Sequence, residues 1–204
     1  MMLHFKTRLF SVMLMLACSL PGYAAQDRLP ASADMVEYSA VLDEIKQCAI
    51  CHGENGNTLQ PTFPILSGQH LFYLYVQLKD FKSGSRKHEV MGPIAARLEK
   101  SQMRLLAKYY SEQKWPSILF RSDSASEARG ERATGAGQCV QCHLGGYEGN
   151  SRTPRLAGQH PQYLLKTMRD FKHKIRLNSA AKSSLFVSYS EDDIKAMSEY
   201  LAGM

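Results

Sequence analysis

The segments Cys48-Ala49-Ile50-Cys51-His52 and Cys139-Val140-Gln141-Cys142-His143 decide how this chain of 204 residues is interpreted. Both follow the pattern C-x-x-C-H, which is typical of c-type haem attachment. Two thiols one helical turn apart can form thioethers with the two vinyl groups of one porphyrin, and the adjacent imidazole can then bind its iron. The sequence therefore predicts two covalently bound haem c groups. The predicted attachment residues are Cys48, Cys51, Cys139 and Cys142, and the predicted iron ligands are His52 and His143.

Two other uses of these cysteines fit the sequence less well. A thioredoxin-like redox pair needs a strand-turn-helix pattern around its C-x-x-C, and neither segment has one. A shared zinc site would have to bring together ligands from motifs 91 residues apart. Such a site needs four cysteine or histidine ligands from two domain-sized segments. We therefore expect no structural metal other than the haem iron.

The two motifs lie inside an internal repeat. Residues 63–70 (FPILSGQH) match residues 153–160 (TPRLAGQH) at an offset of 90 residues. Apolar residues around the motifs recur at helical spacing. The protein is thus predicted to be an all-α duplication. Helices are predicted at residues 35–47, 73–81, 125–135 and 163–171, from Ser101 to the Trp115-Pro116 pair, and from Ser190 to Leu201.

The start of the chain has the pattern of a secretory signal. Lys6 and Arg8 precede an apolar run at residues 9–20, and small residues then offer a cleavage site. We therefore expect a signal peptide at residues 1–24 and an exported, periplasmic protein. The run is short for an uncleaved membrane anchor, and the residues before Cys18 fit a lipidation signal poorly.

The remaining chain is predicted to form two domains. Residues 25–115 are assigned to the first domain, residues 116–126 to a linker and residues 127–204 to the second domain. Each domain is small enough to bury only a modest part of its surface, so a covalent haem would complete its core. We therefore expect the haem-free chain to fold poorly. The apolar triplet at residues 118–120 is expected to pack between the domains, since such triplets are rarely left in water.

Further motifs follow each C-x-x-C-H segment. A P-x-L-x-G-Q segment stands at residues 64–69 and again at residues 154–159, and each is followed by a helix with a tyrosine. Together with residues 91–98 (MGPIAARL), these motifs resemble the diheme cytochrome c4 family over residues 25–204. The resemblance implies two tandem class I cytochrome c domains that transfer single electrons between redox partners in the bacterial periplasm.

The resemblance also assigns roles to residues around each iron. It implies that the carbonyl groups of Pro64 and Pro154 accept hydrogen bonds from the outer nitrogens of His52 and His143, which would fix both imidazoles. It further implies that Met91, which follows His52 by 39 residues, is the sixth ligand of the first iron. A thioether in that position raises the reduction potential.

The second domain departs from the family pattern at the corresponding position. Lys182, not a methionine, follows His143 by 39 residues. A lysine amine binds iron only when neutral, and deprotonation at pH 7 costs roughly 4–5 kcal/mol for a reference pKa near 10.4. Three alternatives stay open: Lys182 as the sixth ligand, an open or water-bound iron, and another residue such as His173 or a distant methionine. Loss of the methionine predicts a lower potential for the second haem.

The charge indicates redox proteins, not nucleic acid, as partners. The formal charge of +6 falls to +4 when Lys6 and Arg8 are removed with the signal peptide, and haem propionates would neutralise most of the remainder. Nucleic-acid binding therefore loses its support. The expected partners are redox proteins such as a membrane cytochrome complex or a terminal oxidase, and peripheral membrane association stays open.

One set of basic residues is expected to form either a docking face for an acidic redox partner or a solvated helical face. The set consists of Lys79, Lys82, Arg86, Lys87, Arg97, Lys100, Arg104 and Lys108.

These features predict an electron carrier, not an enzyme. The rival hypotheses use an open second iron: a haem enzyme subunit similar to thiosulfate dehydrogenase or a peroxidase, or a gas-binding haem protein. The enzyme hypothesis is weakened because residues 25–204 contain no cysteine beyond the four in the motifs to act as a distal ligand or nucleophile.

Overall fold

The computed structural model describes residues 36–204 and confirms the predicted all-α class. The helices in chain order are α1 (Leu42–His52), α2 (Leu71–Ser83), α3 (Met91–Ala96), α4 (Lys100–Ser111), α5 (Ser124–Ala136), α6 (Val140–His143), α7 (Pro161–Lys172), α8 (Ala180–Val187) and α9 (Glu191–Ala202). Short 3-10 turns lie at Ser39–Val41 and Glu54–Gly56. The predicted signal peptide lies outside the described residues. None of the helices in the described part of the chain combines the length and the hydropathy of a membrane span.

Most predicted helices are present, with shifted ends. The helices predicted at residues 73–81, 125–135 and 163–171 fall inside α2, α5 and α7. Ser190 caps α9 as predicted, because its hydroxyl accepts a hydrogen bond from the backbone N–H of Asp193 at 3.1 Å.

Two helix predictions need correction. The N-cap of α4 is Glu99, not Ser101, because the side chains of Glu99 and Gln102 form a reciprocal capping box that sets the start of the helix. This helix ends before the Trp115-Pro116 pair is reached. The helix predicted at residues 35–47 starts later in the structure. A 3-10 turn comes first, and α1 then continues through the whole first attachment motif.

Each domain has its own hydrophobic core. In the first, α4 packs on α2 and on the 3-10 turn before α1, and Val41, Met103 and Leu106 are buried there. In the second, α9 packs on α5 and α7, and Ile194 and Met197 are buried between them. The sequence duplication thus folds into two units in which the last helix of the repeat fills the centre.

The two domains are joined by hydrogen bonds that repeat at the offset of the duplication. The buried side chain of Gln69 donates to the carbonyl oxygen of Arg155 at 3.0 Å and accepts from the N–H of Arg155 at 2.9 Å. Gln159 makes the same pair of bonds to Ile65, at 3.0 and 2.9 Å. Each glutamine therefore satisfies both backbone groups of a residue in the opposite domain.

Two histidines extend this network. The Nε2–H of His70 donates to the carbonyl oxygen of Glu148 at 2.8 Å, and the Nε2–H of His160 donates to the carbonyl oxygen of Thr58 at 2.9 Å. Both are bonds between the domains, and both belong to the repeated G-Q-H sequence. The last residues of the P-x-L-x-G-Q segment and the histidine that follows are therefore structural.

The expectation that residues 118–120 pack between the domains is wrong for Leu119. Its side chain is 89% exposed, while Ile118 and Phe120 are partly buried. The backbone of Leu119 has a φ of 48°, which turns this side chain away from those of its neighbours and into water.

Helices α5 and α9 cross in close contact at Gly130. A Cβ atom at this position would lie 2.4 Å from the carbonyl oxygen of Ala196 and 2.5 Å from the Cβ atom of Tyr200. Gly135 lies on the same helix with open space where its Cβ would be. Packing therefore requires glycine at residue 130 but not at residue 135.

We predict opposite effects for the two glycine substitutions. Gly130→Ala should lower the free energy of unfolding by about 3 kcal/mol, because overpacking separates α5 from α9. Gly135→Ala should raise it by about 0.5–1 kcal/mol through helix propensity. Guanidinium unfolding of the purified protein measures both, and equal changes in the two variants would contradict the assigned packing.

Candidate functional site

The first attachment motif lies on the last two turns of α1. Cys48 and Cys51 are partly buried and His52 is buried. The Nδ1–H of His52 donates to the carbonyl oxygen of Pro64 at 3.0 Å. Gly53 ends the helix with a φ of +74°, and a Cβ atom there would lie 2.5 Å from the backbone that follows. Because the helix ends so sharply, the segment that contains Pro64 returns over the imidazole of His52.

The second motif makes the same contact from a different local backbone. Helix α5 stops at Ala136, and Gln138 adopts a φ of 50° before the short helix α6 carries Cys142 and His143. The Nδ1–H of His143 donates to the carbonyl oxygen of Pro154 at 2.9 Å. The two domains therefore present the same histidine–proline pair, although only the first has a continuous helix through the motif.

Both imidazoles are in the state that iron ligation requires. Burial lowers the pKa of His52 and of His143, although the hydrogen bonds to Pro64 and Pro154 act in the opposite direction. A neutral imidazole that donates its Nδ1 proton keeps Nε2 as the nitrogen that can bind a metal. The two hydrogen bonds implied by the family resemblance are therefore present, and they select the tautomer.

The cysteine side chains fit covalent haem attachment. Cys48, Cys51, Cys139 and Cys142 are free thiols, so within residues 36–204 no disulfide competes for them. Burial raises the pKa of the Cys48 and Cys139 thiols. In the described part of the chain, no three His, Cys, Asp or Glu side chains cluster as they would around a metal ion. Each motif thus offers two thiols for thioether bonds and one imidazole for the iron, as a haem c group needs.

Met91 is the first residue of α3, and His88 holds this helix start in place. The Nδ1 atom of His88 accepts from the backbone N–H groups of Val90 and Met91, at 3.2 and 3.3 Å. After burial, the charge of His88 also contributes to the lowered pKa of His52. The methionine predicted from the resemblance therefore stands on a turn that His88 anchors.

Lys182 lies in the first turn of α8, the place that corresponds to Met91. Its side chain is partly buried, with Nζ 5.5 Å from the ring centroid of Phe171. Burial, reinforced by the charge of Arg176, lowers the pKa of Lys182 to about 8. The lysine charge contributes in turn to the lowered pKa of His143, so the amine lies near the second motif. Neutral Lys182 then costs roughly 1–2 kcal/mol at pH 7, less than its reference pKa suggests.

His173, the other side chain considered as a ligand of the second iron, is directed elsewhere. Its side chain is 55% exposed, and its Nε2 atom lies 3.5 Å from a carboxylate oxygen of Glu191 at the start of α9. The structure therefore brings Lys182, and not His173, toward the second motif.

The basic residues of the predicted docking face do not form one surface. Lys108 pairs with Glu37 and Glu112, at 2.9 and 2.6 Å, and Lys82 donates to a backbone carbonyl at 2.6 Å. Arg86 lies at the domain interface, where its guanidinium donates to a tyrosine of the second domain. A smaller exposed set remains: Lys79, Lys87, Arg97, Lys100 and Arg104.

The structure has two all-α domains, and in each the histidine of a C-x-x-C-H motif bonds to a proline carbonyl. This arrangement defines a diheme c-type cytochrome. The family model described as Cytochrome c matches residues 127–204. Cytochrome c4 of Thiocapsa roseopersicina is 34% identical over 169 residues, which cover 77% of this chain and 86% of the relative. The chain belongs to the cytochrome c4 family. The crystal structure of reduced recombinant cytochrome c4 from Pseudomonas stutzeri matches with a TM-score of 0.73 at 31% identity, covering 85% of this chain and 100% of that one.

One further relative bears a name that describes its role. The thiosulfate dehydrogenase electron acceptor of Stutzerimonas stutzeri (strain A1501) is 31% identical, with 77% of this chain and 78% of the relative covered. Family membership and the two-domain fold together show a diheme electron-transfer cytochrome with covalently bound haem c.

Proposed function

We propose that the chain is a periplasmic carrier that passes single electrons between redox proteins. The observation that supports this most directly is the pair of imidazoles, each fixed by a proline carbonyl with its iron-binding nitrogen left available. When bound, haem iron supplies a one-electron couple. In this proposal residues 25–115 and residues 127–204 hold one haem each, residues 116–126 link them, and residues 1–24 direct export.

In the first domain, Cys48 and Cys51 attach the porphyrin, and His52 and Met91 bind its iron. The proposal is supported by the neutral, buried imidazole and by the anchoring of the α3 start through His88. A thioether ligand stabilises ferrous iron and raises the potential. With His52 and Met91 both as ligands, this iron would be closed to exogenous molecules, as suits a carrier.

In the second domain, Cys139 and Cys142 attach the porphyrin, and His143 and Lys182 bind its iron. Lys182 stands where the first domain has Met91, in the first turn of the corresponding helix. Its partial burial beside the second motif favours the neutral amine that iron requires. An amine in place of a thioether stabilises ferric iron, so this centre has the lower potential.

The partners in this proposal are redox proteins. One relative is named as an electron acceptor of thiosulfate dehydrogenase, and this name supports a carrier role here. A thiosulfate dehydrogenase, a membrane cytochrome complex or a terminal oxidase would each present such a partner, docking on the exposed basic residues by charge complementarity. A catalytic or gas-binding role would need an exchangeable second iron.

We predict two covalent haem groups per chain, assigned by paired cysteine variants. Cys48→Ser/Cys51→Ser and Cys139→Ser/Cys142→Ser should each retain one haem, because each motif attaches its own porphyrin. The parent protein should retain two. Haem absorbance per chain in alkaline pyridine and intact mass measure this. A parent protein with one haem would contradict the proposal.

We predict that the reduced parent protein binds no carbon monoxide, whereas Lys182→Ala binds one equivalent, because the substitution opens the second iron. The control Lys195→Ala removes an exposed lysine of the same domain and should behave as the parent. Optical titration of the reduced protein gives the stoichiometry. One equivalent bound by the parent would show an open or displaceable ligand and would favour the enzyme or gas-binding role.

We predict two separate midpoint potentials, with the second haem lower. Lys182→Met should raise the second potential toward the first, because it restores the thioether ligand, and should leave the first unchanged. Spectroelectrochemical titration measures both. Equal midpoint potentials in the parent protein, at values typical of methionine-ligated haem, would contradict the assignment of a different ligand to the second iron.

A further inference from the structure

The connection between α4 and α5 has little backbone structure of its own. Within the described chain, no backbone N–H or carbonyl group of residues 114–122 is hydrogen-bonded to another backbone group. A cavity of about 710 Å³ lies beside this connection, lined by residues 115–122 and, in the second domain, by Tyr200 and residues 202–204 among others. A segment with few backbone bonds and loose packing opens easily unless side chains fix it.

One side chain of this connection makes close contacts. Trp115 is the only tryptophan of the chain, and it lies between Gly68 and Gly158, which the duplication relates at an offset of 90 residues. A Cβ atom at Gly68 would lie 3.0 Å from the backbone nitrogen of Trp115 and 3.2 Å from its Cβ atom. A Cβ atom at Gly158 would lie 3.0 Å from Nε1 of the indole. The tryptophan therefore contacts the first domain near its backbone and the second domain with its ring.

Both glycines are attached to the core of their own domain. The N–H of Gly68 donates to the carbonyl oxygen of Tyr110 at 2.8 Å, and the N–H of Gly158 donates to the carbonyl oxygen of Leu201 at 2.9 Å. Tyr110 in α4 and Leu201 in α9 are buried in the two hydrophobic cores. A residue that packs against both glycines therefore connects the two cores.

A residue of the domain interface covers the indole ring. The guanidinium of Arg155 lies 4.9 Å from the ring centroid of Trp115, a distance typical of a cation–π contact. The backbone of Arg155 is the one that Gln69 binds from the first domain. Trp115 and Gln69 therefore act on the same residue of the second domain, Trp115 through its side chain and Gln69 through its backbone.

We propose that Trp115, as a wedge between Gly68 and Gly158, fixes the docked arrangement of the two domains. The wedge turns a loosely packed connection into a spacer of defined length, because close-packed atoms leave little freedom of movement. In the carrier of the proposed function, Trp115 is then a positioning residue. It sets the distance between the two haem groups, and electron tunnelling slows steeply with distance. This consequence rests on the proposed function, whereas the wedge itself does not.

Hydrogen exchange in the reduced holoprotein, followed by NMR, measures docking at two backbone N–H groups whose acceptors lie in the opposite domain. The N–H of Ile65 donates to Gln159, and the N–H of Arg155 donates to Gln69. Trp115→Ala should make both groups exchange about tenfold faster or more, because the domains separate more often.

Two variants serve as controls. Leu119 belongs to the same connection but is 89% exposed, so Leu119→Ala should leave the exchange of both groups unchanged. Trp115→Phe should restore part of the protection, because a ring still lies against the guanidinium of Arg155. Unchanged protection of both N–H groups in Trp115→Ala would overturn the wedge.

A comparison with the cores separates the wedge from a general loss of stability. The N–H groups of Leu106 and Met197, each buried in the core of its own domain, should be accelerated far less by Trp115→Ala than those of the interface. Equal acceleration in the cores and at the interface would show that Trp115 stabilises the fold as a whole, and would contradict a specific role in docking.

The unaltered protein supplies a readout that does not depend on a variant folding. In urea below the global unfolding transition, the access of acrylamide to the single tryptophan is measured by fluorescence quenching. This access should rise together with the exchange of the Ile65 and Arg155 N–H groups, because both follow the separation of the domains. Exposure of Trp115 while both groups stay protected would overturn the wedge.

Electron exchange between the haem groups tests the consequence for the carrier. After pulse-radiolytic reduction of the oxidised holoprotein, optical spectra follow the redistribution of the electron between the two haem groups. The rate should fall severalfold in Trp115→Ala and stay unchanged in Leu119→Ala. Faster exchange at the interface with an unchanged electron-transfer rate would overturn the positioning role alone. Fewer than two haem groups per chain in the parent protein would overturn the proposed function and not the wedge.

Discussion

The hydrogen bond from each histidine to its proline carbonyl is the contact on which the other features of the site depend. Pro64 accepts from His52, and five residues further along the chain Gln69 pairs with the backbone of the opposite domain. Pro154 and Gln159 repeat the arrangement. Because so short a segment joins the two contacts, the interface between the domains and the orientation of each imidazole are mechanically coupled. Docking of the domains therefore supports the geometry at both irons.

The two domains have diverged at the irons more than at the interface. The first motif continues a long helix and ends at Gly53, whereas the corresponding Leu144 adopts a φ of 66° without the freedom of glycine. Such a backbone costs about 1–3 kcal/mol for a residue with a side chain. In the same half, Lys182 stands where the first domain has Met91, so the two domains offer different side chains as the proposed sixth ligand. The cross-domain glutamines and histidines, by contrast, are kept in both copies, because losing one would strand buried backbone groups.

Positive charge in this protein has two separate uses. Exposed lysines and arginines of the first domain are available to an acidic partner, whereas Arg86 and Arg176 are turned inward between the domains. After burial itself, the charges of this inward pair contribute to the lowered pKa of Lys182. The protonation of Lys182 is thus electrostatically linked to the docking of the two domains, because docking brings these two charges onto one acceptor.

The haem attachment motifs, the duplication and the helical class could all be predicted from the sequence, because C-x-x-C-H spacing and apolar periodicity are local patterns. The sequence also determined that Lys182 takes the place of Met91, because both residues follow the histidine of their motif by 39 residues. Only the tertiary structure decided that Lys182 is partly buried against Phe171, and that Gln69 bonds to a residue 86 positions away. It also moved Arg86 from the predicted docking face to the interface. The physical reason is the same in each case. Burial and long-range partners depend on how the domains dock, and docking does not produce a periodic pattern in the sequence.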